Sequence, residues 1–122
     1  MGAPSVGDVV IIPFPYSDLS KSKRRPALIL AEVGRGDFLL CQITSKQYGD
    51  RHAIPLCESD FASGSISRDS FIRVAKIFTG SQALMLGVAG HVNHSKLSEV
   101  IRRLVNPLST TLRDEIFWHS DA

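Results

Sequence analysis

The sequence is short of nearly everything that marks a specialised class of protein. Of its 122 residues only two are cysteine, Cys41 and Cys57, and no Cys-x-x-Cys spacing joins them. That excludes a disulfide framework and favours a reducing compartment, so a cytoplasmic location is expected. Nowhere do eighteen apolar residues run uninterrupted, and the opening MGAPSVGDVV lacks a basic start followed by a long apolar stretch. Neither a membrane span nor a secretory leader is expected. Net charge is only +2, so attraction to a polyanion has to come from where the cations sit rather than from their total. Internal repeats and low-complexity blocks are absent as well.

What is present is an ordinary core-forming composition, 43% hydrophobic and 21% charged, at a length that suits one domain spanning residues 1–122. Short runs rich in β-branched residues fill the first two thirds, each closed by glycine, proline or a polar cluster. DVVII (Asp8 to Ile12) stops at Pro13 and Pro15, which cannot supply the ladder N–H groups of a central strand, so a loop is expected from there to Arg25. ALILAEV and FLLCQIT flank the turn GRGD and predict a hairpin. HAIPLC and SFIRVAKIF are further strand candidates, separated by the polar stretch ESDFASGSISRD, and ALMLGVAGHV reads as a bent strand. The period then changes. Leu97, Val100, Ile101, Leu104 and Val105 fall on one helical face, with Ser95 as a candidate N-cap and Asn106-Pro107 as the expected stop; a second short helix is expected in STTLRDEIFW. The architecture is therefore mainly β, a small antiparallel barrel with one or two C-terminal helices.

One segment concentrates positive charge. SKSKRRPALIL places Lys21, Lys23, Arg24 and Arg25 directly before an apolar run. With Arg35 and Gly36 at the centre of the hairpin turn, Thr44 falls opposite Ala27, and Arg25 becomes a diagonal neighbour of Thr44. A guanidinium fork, two hydroxyls (Thr44 and Ser45) and the ammonium groups around them form a rim suited to phosphate. Lys46 follows directly. Tyr16, in the same loop, offers an aromatic face on which an unpaired base can stack. His91 and His94 have the spacing of a two-histidine metal clip, but no third ligand stands at a recognisable interval, so no metal is assigned.

GDVVIIPFPYSDLSKSKRRPALIL strongly resembles the opening of the MazF/PemK (Kid) family of toxin ribonucleases, with Gly-Asp before a first strand and Arg-Pro-Ala leading into a second. QITSK resembles that family's strand ending in Thr-Ser, and SFIRVAKIFT and the segment from Gly90 to Leu97 are similar to its later part. The resemblance runs from Gly7 to about Leu104. It implies an SH3-like barrel, a homodimer, no cofactor, and metal-independent endoribonuclease (mRNA interferase) cleavage of single-stranded RNA that leaves 2′,3′-cyclic phosphate and 5′-hydroxyl ends. It also implies an antitoxin partner with an acidic, flexible tail.

Carried over by position, Arg25, Thr44 and Arg73 match the family's catalytic positions; Tyr16, Lys21, Lys23, Arg24, Ser45 and Lys46, read from the charge, hydroxyl and aromatic pattern of the same segments, are the expected substrate contacts. One position departs. Where some members have Arg-x-Asp, this chain reads Arg73-Val74-Ala75, leaving Asp69, Glu58, His52 and His91 as candidate bases with none preferred. Loss of that carboxylate keeps two alternatives open: a barrel toxin that binds and poisons DNA gyrase without cutting nucleic acid, and an inactive member that only binds RNA or antitoxin.

Overall fold

In the computed structural model, residues 3–15, 22–47 and 49–119 are described. Among these residues seven strands form one antiparallel sheet: β1 (Asp8–Pro15), β2 (Ser22–Gly34), β3 (Asp37–Thr44), β4 (Ala53–Leu56), β5 (Phe61–Gly64), β6 (Ser70–Ser81) and β7 (Gly87–Val92). Their order across the sheet is β4-β6-β3-β2-β1-β7-β5. The sheet curls into a half-barrel, and one helix, α1 (His94–His119), follows it. Among the described residues no helix is long and apolar enough to cross a membrane.

The curl explains why β2 reads as an unbroken apolar run. Leu28 and Leu30 join Val9, Ile43, Ile54, Ile72 and Val100 in one cluster, while Ala27 and Ile29 join Val10, Ile12, Phe38 and Leu40 in another. Successive side chains point to opposite faces, so a strand covered on both sides has no polar position to alternate with. The first cluster lies between the curled sheet and α1, whose Leu97 and Leu104 pack against it beside Val100.

Three elements differ from expectation. β1 does not stop at Ile12: it continues through Pro15, pairing Pro13 with Arg24 and Phe14 with Lys23. On its other side the pairing with β7 ends at Ile11, so both prolines sit where β1 is an edge and their missing N–H groups cost no ladder bond on that side. As a result β2 starts at Ser22, and Lys23, Arg24 and Arg25 belong to a strand rather than a loop.

The stretch 61–64, expected within a polar loop, forms β5 on the far edge, where Gly64 and Gly90 let two backbones approach too closely for any Cβ. Finally, α1 runs through Pro107 as one helix. Its cap is Asn93 rather than Ser95: the Asn93 side chain accepts the Lys96 N–H at 2.8 Å. Pro107 deletes one intrahelical bond, and the Thr110 and Thr111 hydroxyls donate to the Asn106 and Pro107 carbonyls at 3.1 Å in the following turn.

Candidate active site

The hairpin delivers Arg25 and Thr44 to the same rim, by a register other than the expected one. Next to the turn Gly34 faces Asp37, as anticipated, but two single-residue shifts follow, and Ala27 ends opposite Gln42 instead of Thr44. Continued to the rim, this register sets Arg25 directly across from Thr44. Thr44 in turn pairs with Phe71 of β6, and Gln42 with Arg73. Two adjacent rows therefore cross one sheet face: Arg25, Thr44 and Phe71 at the rim, then Ala27, Gln42 and Arg73.

A cavity of about 460 Å³ opens at this rim and takes residues from both faces. Its cationic wall is Lys23, Arg24 and Arg25; Thr44 and Ser45 adjoin it; Ile11, Pro26, Ile43, Ile66 and Ala89 supply apolar lining; and Ser65, Ser67, Arg68 and Ser70 complete it. Among the described residues four cations and no carboxylate line it, a lining suited to an anion with a partly apolar body. Lys23, Arg24 and Arg68 are exposed and Arg25 is half-buried.

Thr44 is only 4% exposed, and its Oγ1 accepts the Lys46 N–H at 3.2 Å, which fixes the oxygen and leaves the hydroxyl proton for another acceptor. Tyr16 and Lys21 lie outside the described residues. Ser45 and Lys46 are exposed just past β3, and Ser45, unlike Lys46, lines the cavity.

Arg73 does not line the cavity. It sits one row inward and donates through Nε to Asp50 Oδ2 at 3.2 Å. Burial pushes the Asp50 carboxyl up, but the His52 backbone N–H, the Arg73 bond and the neighbouring positive charges outweigh it and hold the group below its ordinary range.

None of the four expected bases lines the cavity. His91 Nδ1 is bonded to Asp8 Oδ1 at 2.8 Å; Glu58 lies on a short 3-10 turn; His52 is exposed beside Asp50; Asp69 is exposed, adjoining Arg68 and Ser70 in sequence but not the cavity. His94 lies 3.4 Å from Ser98, and among the described residues no three potential metal ligands converge. A wider hollow of about 1230 Å³ runs along the polar side of α1, but all its lining comes from Asn93 and that one helix, with no sheet residue converging on it.

Comparison with known proteins decides the family. Residues 5–108 match the model of the PemK-like, MazF-like toxins of type II toxin-antitoxin systems. The chain belongs to that family. Solved structures share its fold: a MazE-MazF complex from Deinococcus radiodurans (20% identity, TM-score 0.69, covering 89% of this chain and 98% of that one) and the Mycobacterium tuberculosis toxin MazF-mt6 (19%, 0.63, 84% and 96%). A third is an endoribonuclease in complex with its cognate antitoxin from a mycobacterial species (16%, 0.64, 88% and 96%). Among curated proteins none matches the sequence.

Sequence reasoning missed four lining residues of this toxin, Ser65, Ile66, Ser67 and Arg68, by treating their segment as a polar loop, and missed Ser70 at the start of the strand that follows. The available signal was a lone arginine among serines between two strands. Asp50 was missed too, since its partner is 23 positions away.

Proposed function

We propose that this toxin is a metal-independent, sequence-specific endoribonuclease acting on single-stranded RNA in the cytoplasm. The observation that carries the reading is the cavity that, among the described residues, gathers Arg25, Thr44 and Ser45 with three further cations and no carboxylate. The reaction is attack of a ribose 2′-oxygen on the adjacent phosphorus as the P–O5′ bond breaks, with the 2′-proton passing to water and the departing 5′-oxygen taking a proton from water, giving a 2′,3′-cyclic phosphate and a 5′-hydroxyl.

Negative charge grows on the phosphoryl oxygens as the new bond forms. Arg25, half-buried and directly across from Thr44, stabilises it, while the Thr44 hydroxyl orients the phosphate. Its role is electrostatic: a guanidinium spreads its charge over a planar group and offers hydrogen bonds without giving up a proton. Arg73 adds positive charge from the next row. Lys23, Arg24, Ser45 and Arg68 hold flanking nucleotides; Tyr16, Lys21 and Lys46 belong to the same proposed RNA contact surface.

A second copy of the chain and a cognate antitoxin are the proposed protein partners. Leu86 and Val88, 53% and 49% exposed on and beside β7, form an apolar strip that suits the second copy; Met85 instead turns inward against the second core cluster. An acidic antitoxin segment is the complement of the cationic cavity.

Incubation of purified toxin with long single-stranded RNA in EDTA, followed by mapping of the new ends, tests the reading. Discrete cuts with 5′-hydroxyl ends, abolished by Arg25→Ala, are expected. Intact RNA alongside stalled DNA gyrase would overturn it in favour of a non-catalytic poison, and salt-sensitive RNA binding without cuts would mark an inactive binder.

A further inference from the structure

We propose that Asp50 is a positioning residue for the ribonuclease reaction, holding the Arg73 guanidinium on the sheet face that carries Arg25 and Thr44. The proposal rests on the reading given above. Its starting point is position 75, where the chain offers Arg73 no carboxylate two residues along its own strand, only the methyl group of Ala75. The carboxylate comes instead from the connection between β3 and β4, which begins at the cavity with Thr44 and Ser45 and ends at Ala53, the β4 residue paired with Arg73.

That connection holds Asp50 by its backbone. The Asp50 N–H donates to the Gln47 carbonyl at 3.0 Å, the Ala53 N–H donates to the Asp50 carbonyl at 3.2 Å, and the His52 N–H donates to Asp50 Oδ1 at 2.9 Å. One carboxylate oxygen is thus used to fix the side chain, and the other, Oδ2, meets Arg73 Nε at 3.2 Å. Side-chain exposure is 18% for Arg73 and 10% for Asp50, so solvent screens the pair weakly.

Engagement through Nε, the guanidinium nitrogen nearest the chain, fixes the direction of the whole planar group. A mobile arginine has to be ordered in the transition state; one already clamped does not. Asp50 is ionised at neutral pH, with its proton affinity lowered by the groups that bind it, so it is a poor acceptor for the 2′-proton and its part is to place Arg73.

A double-mutant cycle on the full chain tests this, using a single-stranded RNA that carries the mapped cleavage sequence. Asp50→Asn is expected to lower kcat roughly tenfold to a hundredfold with KM unchanged, the signature of a misplaced transition-state group. Asp50→Glu is expected to recover part of the loss, and Asp50→Asn combined with Arg73→Ala should be no slower than Arg73→Ala alone.

Losses that multiply in the double variant, or unaltered kcat in Asp50→Asn, overturn the proposal while leaving the ribonuclease reading intact. Absence of cleavage by the unmodified toxin overturns both. Should Asp50→Asn fail to fold, the Arg73 Nε–H resonance of the unmodified chain decides: slow solvent exchange supports the clamp, and fast exchange overturns it.

Discussion

Two corners of the sheet carry the most recognisable motifs of the sequence, and they differ in whether their polar groups are already bonded. At the Gly7-Asp8 corner the Gly7 backbone and the Asp8 carboxylate are matched within the chain. The Gly7 N–H donates to the Ile29 carbonyl at 2.9 Å, and the Val92 N–H to the Gly7 carbonyl at 3.0 Å. Asp8 Oδ1 meets His91 Nδ1 at 2.8 Å, while Oδ2 accepts the Ser5 N–H at 2.9 Å.

At the Arg25-Thr44 corner the balance is opposite. Lys23, Arg24, Arg25 and Arg68 surround one cavity with no carboxylate among its described lining residues. A motif whose groups satisfy one another closes the fold; a motif that leaves like charges together costs stability and makes sense only with an anion in place. Equal prominence in the sequence therefore hides opposite purposes.

Substitutions at the two corners should separate activity from stability. Arg25→Ala removes a charged donor from the proposed phosphate site, and loss of one such donor typically costs about 2.7–4 kcal/mol of transition-state stabilisation, or roughly 10²–10³ in kcat. Cleavage should fall by at least that much while the melting temperature holds or rises, because a cation surrounded by other cations is being removed.

Gly7→Ala should do the reverse. Gly7 has φ +93°, and a Cβ there would lie 2.9 Å from the His91 ring. Backbone strain of this kind costs about 1–3 kcal/mol, read as a lower denaturation midpoint with RNA cleavage per folded molecule unchanged. A destabilised Arg25→Ala, or an inactive but stable Gly7→Ala, would break the contrast.

A smaller effect sharpens it. Each phosphate neutralised on single-stranded RNA contributes about 0.7 to the slope of log affinity against log salt. Lys23→Ala should therefore flatten the slope by roughly that amount, whereas Asp8→Asn should leave it unchanged. A flattened slope in Asp8→Asn would mean that RNA reaches the matched corner.

How legible these corners were follows from range. β2, β3, β6 and the start of α1 announce themselves through runs and periods that depend on neighbours a few residues away. Arg25 and Thr44 were legible because a hairpin joins them, although the two register shifts between Gly34 and Ile29 were not. Bulges depend on how a strand must twist to cover both faces, and no local pattern records that. β1 passed through its prolines because its β7 partner ends early, and the helix passed through Pro107; both are tertiary facts overriding a local preference. Asp50 was invisible for the same reason, since a turn aspartate looks alike whether it faces water or a distant arginine.

The smallest expected effect concerns that aspartate and tests whether the Asp50-Arg73 pair belongs with the matched corner or the unmatched one. Its carboxyl is held below its ordinary value of 3.8, so the folded chain binds the proton less readily than the unfolded chain does. A depressed folded pKa contributes stability that is complete above the unfolded value and disappears as pH falls through the folded one. The window thus lies below about pH 4, the ordinary aspartate range.

Melting curves of the unmodified chain and of Asp50→Asn should accordingly differ at pH 6 and converge as the pH is lowered through that window, since acid does to the first what the substitution has done to the second. Parallel curves down to acid unfolding would show that the carboxylate gains nothing from Arg73. The pair would then join the unmatched corner, with Arg73 held by something other than Asp50.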